Sequence, residues 1–328
     1  MDDAGYVVSV EPGVRLLKLS VANLSGHIIH SERLPAVASQ EPVDAVAAIW
    51  AEIVTLMETA RVPFERLRGI AVGLPASVEY ATGRVVMPSF MQSWNDAHVP
   101  QLFRTHTTVP VLVENDANLV AISELSEVAG SHDDYFLAVL LGRRIGGGLV
   151  ANGEPLRGFN GAAGEFGHTP VAGPAVIPCV CSLDACLESV ASGAAVAARL
   201  SALGHTVDIP SDIVALGRSG DPRVLAILRE AGTHIGAALA SNVNFFNPRR
   251  VVLGGALSLS SPLVAALRAE LFQKCLPIAA QDLDISAIDD PDTAGARGAL
   301  RLLLDEVLAP ARIDELAQLA LVDEKATS

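Results

Sequence analysis

The residues best equipped for chemistry in this chain lie close together. Three of its four cysteines, Cys179, Cys181 and Cys186, fall within eight positions, and His168 stands a short loop upstream. The spacing His-x10-Cys-x-Cys-x4-Cys offers one imidazole and three thiolates, the donor set of a tetrahedral zinc site. Four protein ligands leave the ion no open position for water. The expected zinc is therefore structural, tying the loop around His168 to a helix that starts at Leu187. Three unliganded cysteines would instead leave oxidisable thiols in a loop for no gain. Cys179 and Cys181 are also too close in sequence for an unstrained disulfide. Cys275, in "LRAELFQKCLP", falls in a helical pattern and reads as a core thiol.

Just before the histidine runs "LLGRRIGGGLVANGEPLRGFNGAAGEFGH", with nine glycines between 142 and 167. That density lets backbone approach a ligand closely or take positive φ. The elements that must position these residues follow from apolar spacing. "YVVSV", "VRLLKLSVAN" and "GHIIHSERL" read as three strands joined by turns at Pro12-Gly13 and Ser25-Gly26, and "EPVDAVAAIWAEIVTLMETA" as a helix. "RGIAVGLPASV" reads as a buried strand running into a proline-bearing loop, "VPVLVEND" as a further strand, and "ANLVAISELSEVAG" as the helix after it. From Tyr135 the pattern restarts with "YFLAVLLG", "GGGLVANG" and "EPLRG". Helices follow over 186–203, 211–217, 221–246, 261–275 and 293–308, with strands in "RRVVLGG" and "DLDISAI". A βββ-then-βα alternation met twice predicts two similar α/β lobes. The expected division is an N-terminal lobe over 1–117 and a zinc-bearing C-terminal lobe over 118–292. The helix 293–308 is expected to pack back on the first lobe, with a tail over 309–328. A ligand is expected in a cleft between the lobes.

The 328 residues are half hydrophobic and only 18% charged, which predicts a substantial core rather than disorder. A net charge of −14 argues against the chain gripping a phosphate backbone. The N-terminus lacks a basic, apolar leader, and no apolar run reaches the roughly 18 residues of a membrane helix. A soluble, cytoplasmic protein without membrane partners is expected.

"VENDANLVAISEL", "IGGGLVANGEPLRGFNGAAGEFGH", "CVCSLDACLE" and "GLPASVEYATGRVV" closely resemble the ROK family of sugar-responsive repressors, uncharacterised reading frames and sugar kinases. The resemblance extends from about Tyr6 to Leu304. It implies a two-lobed actin-like, ribonuclease H-like ATPase fold, zinc on His168, Cys179, Cys181 and Cys186, and a hexose pocket between the lobes. By the same resemblance, Asn115 and Asp116 match a pair that hydrogen-bonds sugar hydroxyls, with Asp116 the catalytic base wherever the protein is a kinase. Glu165, His168 and Glu188 match residues that close on the other side of the sugar. A polyol needs such carboxylate and amide partners to replace its water. Read without the resemblance, "END" is equally an N-cap, and Glu188 a first-turn acid.

Departures from the kinases decide the functional expectation. Their first phosphate turn, Asp-x-Gly-Gly-Thr, is here Glu11-Pro12-Gly13-Val14-Arg15, and proline removes a donor. Their second, Gly-Thr-Gly, is here Gly142-Arg143-Arg144. Ala256 replaces a third glycine, Phe90 an asparagine that binds sugar, and Ser182 and Ala185 glycines of the zinc loop. Phosphoryl transfer rests almost wholly on positioning and electrostatics. The nucleotide site is therefore expected to be degenerate, and ATP and Mg²⁺ are not expected as cofactors. The leading expectation is the sugar-sensing core of a ROK transcriptional regulator, homodimeric or homotetrameric, and the alternative is an ATP-dependent ROK sugar kinase. The family's repressors contact DNA through a winged helix-turn-helix ahead of the core, and this sequence opens at the first strand, so no such domain is expected within it. Arg143 and Arg144, standing where a phosphate is handled in the kinases, are candidate contacts for a phosphate on the effector.

Overall fold

The computed structural model describes residues 4–88, 90–127, 135–288 and 290–310. Its strands are β1 (Tyr6–Pro12), β2 (Leu16–Asn23), β3 (Ile28–Pro35), β4 (Leu67–Leu74), β5 (Ser77–Glu79), β6 (Arg84–Val86), β7 (Val111–Asn115), β8 (Tyr135–Leu141), β9 (Ile145–Ala151), β10 (Glu154–Pro155), β11 (Arg250–Gly254) and β12 (Asp284–Ala287). The helices are α1 (Pro42–Thr59), α2 (Val99–Phe103), α3 (Asp116–Glu127), α4 (Leu187–Ala191), α5 (Gly193–Ala202), α6 (Pro210–Gly217), α7 (Pro222–Phe246), α8 (Ser261–Lys274), α9 (Pro277–Ala280) and α10 (Ala294–Val307).

Two units divide these elements. The first takes the described parts of Met1–Val86, Phe90–Asn115 and Gly295–Ser328; the second takes those of Met87–Ser89 and Asp116–Ala294. The first holds a sheet ordered β3-β2-β1-β4-β7, the second one ordered β10-β9-β8-β11-β12. In both, three antiparallel strands are continued by two parallel ones. The doubled alternation expected from the sequence is thus a doubled sheet topology, the mixed α/β arrangement of an actin-like ATPase fold. The burial of each strand follows its place. Central β1 is buried nearly throughout, whereas edge strand β3 alternates between half-buried and exposed residues.

In the first unit, Trp94, Phe103, Ile49 and Ile53 fill the core between sheet and α1, and Phe90 packs against the same cluster. Glu11, at the end of β1, rests its carboxylate against Gly295 at the start of α10. Burial pushes the Glu11 carboxyl above its ordinary value, opposed by the charges of Lys18 and Arg33. In the second unit, α7 and α8 cross so closely that a Cβ on Gly232 or Gly236 would strike the carbonyls of Leu263 and Leu267.

Three local differences from the sequence reading have clear causes. The helix expected over 186–203 is broken at Ser192, whose hydroxyl accepts from the Ala195 N–H at 3.2 Å and starts α5 afresh. β4 stops at Leu74 and Pro75 opens the expected loop, but the residues beyond it form the β5–β6 hairpin, whose three-residue strands are too short to show alternation. Helix α2, with a proline in its first turn, is too short to show periodicity. The last positions of the helix expected over 117–130 and the tail beyond 310 lie outside the described residues.

Two changes test this packing. Gly236→Ala gains helix propensity but forces α7 off α8, so stability in urea should fall by about 1–3 kcal/mol. Glu11→Gln removes a buried charge whose raised pKa makes stability decline as pH rises above the ordinary carboxylate range. Its gain in Tm should therefore be larger at pH 8 than at pH 4.5.

Candidate functional site

The segment 164–192 is built as a knot. Gly164 takes φ +94, and a Cβ there would strike the Gly147 carbonyl of β9, so the place is closed to any side chain. Glu165 and His168 follow in one tight turn, in which the His168 N–H donates to the Glu165 carbonyl at 3.1 Å. Residues 169–171 then run beside 185–187: the Leu187 N–H donates to Thr169 O at 2.9 Å, and Pro170 bridges Cys186. This pairing carries Cys186 back to His168. Ser189 secures the start of α4 by accepting from the Cys186 N–H at 3.0 Å. Ser182, between the first two cysteines and the third, has φ +59.

The result gathers His168, Cys179, Cys181 and Cys186 with their donor atoms within 4.8 Å of one another. A tetrahedral ion with bonds of about 2.3 Å to sulfur sets its ligands about 3.8 Å apart, so this set is sized for a metal. The Nδ1 of His168 lies 3.4 Å from Cys179 Sγ, and its Nε2 lies 3.7 Å from Glu165 Oε2. One ring nitrogen thus faces the thiols and the other faces a carboxylate, the arrangement that fixes a metal-bound imidazole. Burial holds the imidazole pKa below its ordinary value; Glu165 opposes this and Arg144 adds to it. Such a ring is neutral at pH 7 and suited to ligation. The four cysteines form no disulfide.

Glu188, the second residue of α4, is 1% exposed. Its Oε2 accepts from the Ile145 N–H at 2.7 Å, its Oε1 lies 2.9 Å from Arg144 Nε, and the Ser192 hydroxyl donates to it. The Arg144 contact is a charge pair off the hydrogen-bond line. Burial pushes the carboxyl up, while Arg144, Ile145 and Ser192 pull it down. Arg144 is 25% exposed, and Arg143 beside it is exposed. The Gly142–Arg144 turn is bonded back to its own chain at three points. Its Gly142 N–H donates to Arg144 O at 3.0 Å, and its Gly142 and Arg143 carbonyls accept from the first amides of α5, Gly193 and Ala194, at 3.1 and 3.0 Å.

The turn between β1 and β2 is closed in the same way, Gly13 N–H to Leu16 O at 2.8 Å. Asn115 ends β7; its backbone N–H donates to Glu114 Oε1 at 2.9 Å, and its side-chain amide donates to Ala76 O at 2.9 Å. Asp116 opens α3. Within the second unit, then, Arg144, Glu165, His168 and Glu188 come together beside the three cysteines, with Arg143 next to them. Sequence reasoning missed Ile145 and Ser192 as the holders of Glu188. A backbone N–H leaves no trace in residue type, but the Ser192-Gly193 pair carried an N-cap signal.

The sequence model of the ROK family matches residues 7–306. A glucokinase of Halalkalibacterium halodurans is 30% identical over 79% of this chain and 82% of its own length. A xylose repressor of Caldicellulosiruptor bescii is 24% identical over 94% of this chain and 80% of its own. Among solved structures, a ROK family transcriptional regulator, homologous to the Escherichia coli Mlc protein, superposes with a TM-score of 0.80. It is 24% identical and covers 96% of this chain and 82% of that one. No helix among the described residues is long and apolar enough to cross a membrane.

Arg144→Ala leaves a buried carboxylate without its counter-charge. It should cost about 2–3 kcal/mol in chemical denaturation, less than the 3–5 of a fully buried pair because the guanidinium is a quarter exposed. Arg144→Met with Glu188→Gln should recover most of that loss, since neither charge then remains.

Proposed function

This chain belongs to the ROK family, and from that premise we propose that it is the carbohydrate-binding core of a regulator rather than a working sugar kinase. The observation that carries this reading is the commitment of the turn amides. A triphosphate is held by backbone N–H groups left free in glycine turns and at helix starts. Here Gly13, Gly142, Gly193 and Ala194 already donate to carbonyls of their own chain, and Pro12 has nothing to give. Ile145 donates to Glu188. Rebuilding the second of these turns around ATP would mean breaking bonds that stabilise the second unit's sheet and α5.

Sugar binding draws support from residues that keep their chemistry. Glu165 offers acceptors, and His168 turns a ring nitrogen toward it. Zinc on His168, Cys179, Cys181 and Cys186 would hold that ring in place and add no reactive position. Closure on the sugar would then shift the arrangement of subunits in a homodimer or homotetramer, which is how a binding event becomes a regulatory one. The kinase reading is favoured by the 30% identity to a glucokinase and by Asp116 as an available base.

Purified protein with Mg-ATP and a panel of glucose, mannose, N-acetylmannosamine and xylose separates the two. The expected result is ADP release at background with every sugar. Release above background that disappears in Asp116→Asn makes the protein a kinase. Elemental analysis should find one zinc per chain, and Cys186→Ser should abolish it and lower Tm.

A further inference from the structure

Glu188 and Arg144 divide their work unequally. Glu188 is buried, and its oxygens are taken by Ile145, Ser192 and Arg144, so that carboxylate faces the protein. Arg144 meets Glu188 through Nε and keeps a quarter of its surface exposed. Its two Nη groups, four further N–H donors, have no partner among the described residues. The group that reaches outward here is therefore a donor fork, where a carboxylate would have been an acceptor. The fork stands on a rigid base, because the turn's carbonyls are bonded to α5 and its Gly142 amide to Arg144 O. It is near enough to His168 for its charge to act on the ring, as does that of Glu165. Arg143, next along the turn, is exposed and its guanidinium has no partner among the described residues. Two guanidinium groups against one buried carboxylate leave the turn with surplus positive charge, in a chain whose net charge is −14.

We propose that Arg144, positioned by Glu188 and assisted by Arg143, is the specificity-determining edge of the binding site formed with Glu165 and His168, and that the ligand is a carbohydrate bearing an oxyanion, a phosphate or a carboxylate. This rests on the carbohydrate-binding reading above. Hydroxyls would meet Glu165 and the His168 ring, which accept and donate; the oxyanion would meet the fork, which only donates. A guanidinium matches the paired oxygens of either anion. A neutral sugar leaves those donors without a charged partner, and that difference is the source of selectivity.

Calorimetry on the metal-loaded full chain tests this. The probes are glucose, mannose, N-acetylmannosamine and xylose, each with its phosphate monoester, together with glucuronate and inorganic phosphate. At least one ester or acid should bind tenfold or more tighter than its parent sugar and than inorganic phosphate. Arg144→Met with Glu188→Gln, checked for folding and metal content, should weaken that ligand by about 10–100-fold, the worth of a hydrogen bond to a charged group, and cut its advantage over the parent sugar to less than threefold. Arg143→Ala, which touches no buried group, should weaken it by a smaller factor. Ester against acid preference tells a phosphate source from a carboxylate one. The proposal is overturned if no ester or acid outbinds its parent, if inorganic phosphate binds as tightly, or if both variants bind like the unaltered protein. Parent sugars binding as well as their esters would sink this assignment alone. A panel that does not bind at all would sink the carbohydrate reading with it.

Discussion

A carboxylate buried to 1% exposure has to be surrounded by donors, and the second unit is arranged around that demand at Glu188. Two elements supply them, the β8–β9 connection through Arg144 and Ile145 and the start of α5 through Ser192, while α4 carries the residue itself. Cys186 lies two positions before Glu188, so the Cys/His cluster and this charge are fixed by the same few residues. The cysteine loop, the turn and α5 thereby become one mechanical piece. Loss of any of the three partners would leave charge in a place that water does not reach.

That piece has a chemical consequence. Backbone amides at glycine turns are the ordinary currency of phosphate binding, and here they are bonded inward. The turn carbonyls of Gly142 and Arg143 occupy the first amides of α5, which would otherwise be an anion site. Glu165, the far nitrogen of His168 and the arginine fork stand beside this turn, side-chain groups that suit a polyol or an anion under the reading proposed above.

Much of this was legible in the residues. The donor set of one histidine and three cysteines declared itself by type and spacing, because thiols clustered in a loop have few other uses. The doubled sheet was legible because the strand and helix periods repeat. The break at Ser192 was not seen, since Val190, Ala191, Val196 and Leu200 keep an apolar rhythm across it and only the Ser-Gly pair signals the cap. The pairing of Arg144 with Glu188 was beyond sequence reading for a different reason. The two residues are 44 positions apart, and only the folded knot brings them together. The substitutions that depart from the kinases were visible as residue types, whereas the inward bonding of the turn amides is a property of backbone geometry alone.

The central claim is that these amides are spent before any ligand arrives. Amide hydrogen exchange on the ligand-free, metal-loaded protein reads it directly at Gly142, Ile145, Gly193 and Ala194. Slow exchange at all four, unchanged by millimolar Mg-ATP, is the predicted result. Fast exchange in the free protein, with new protection on adding Mg-ATP, would contradict it.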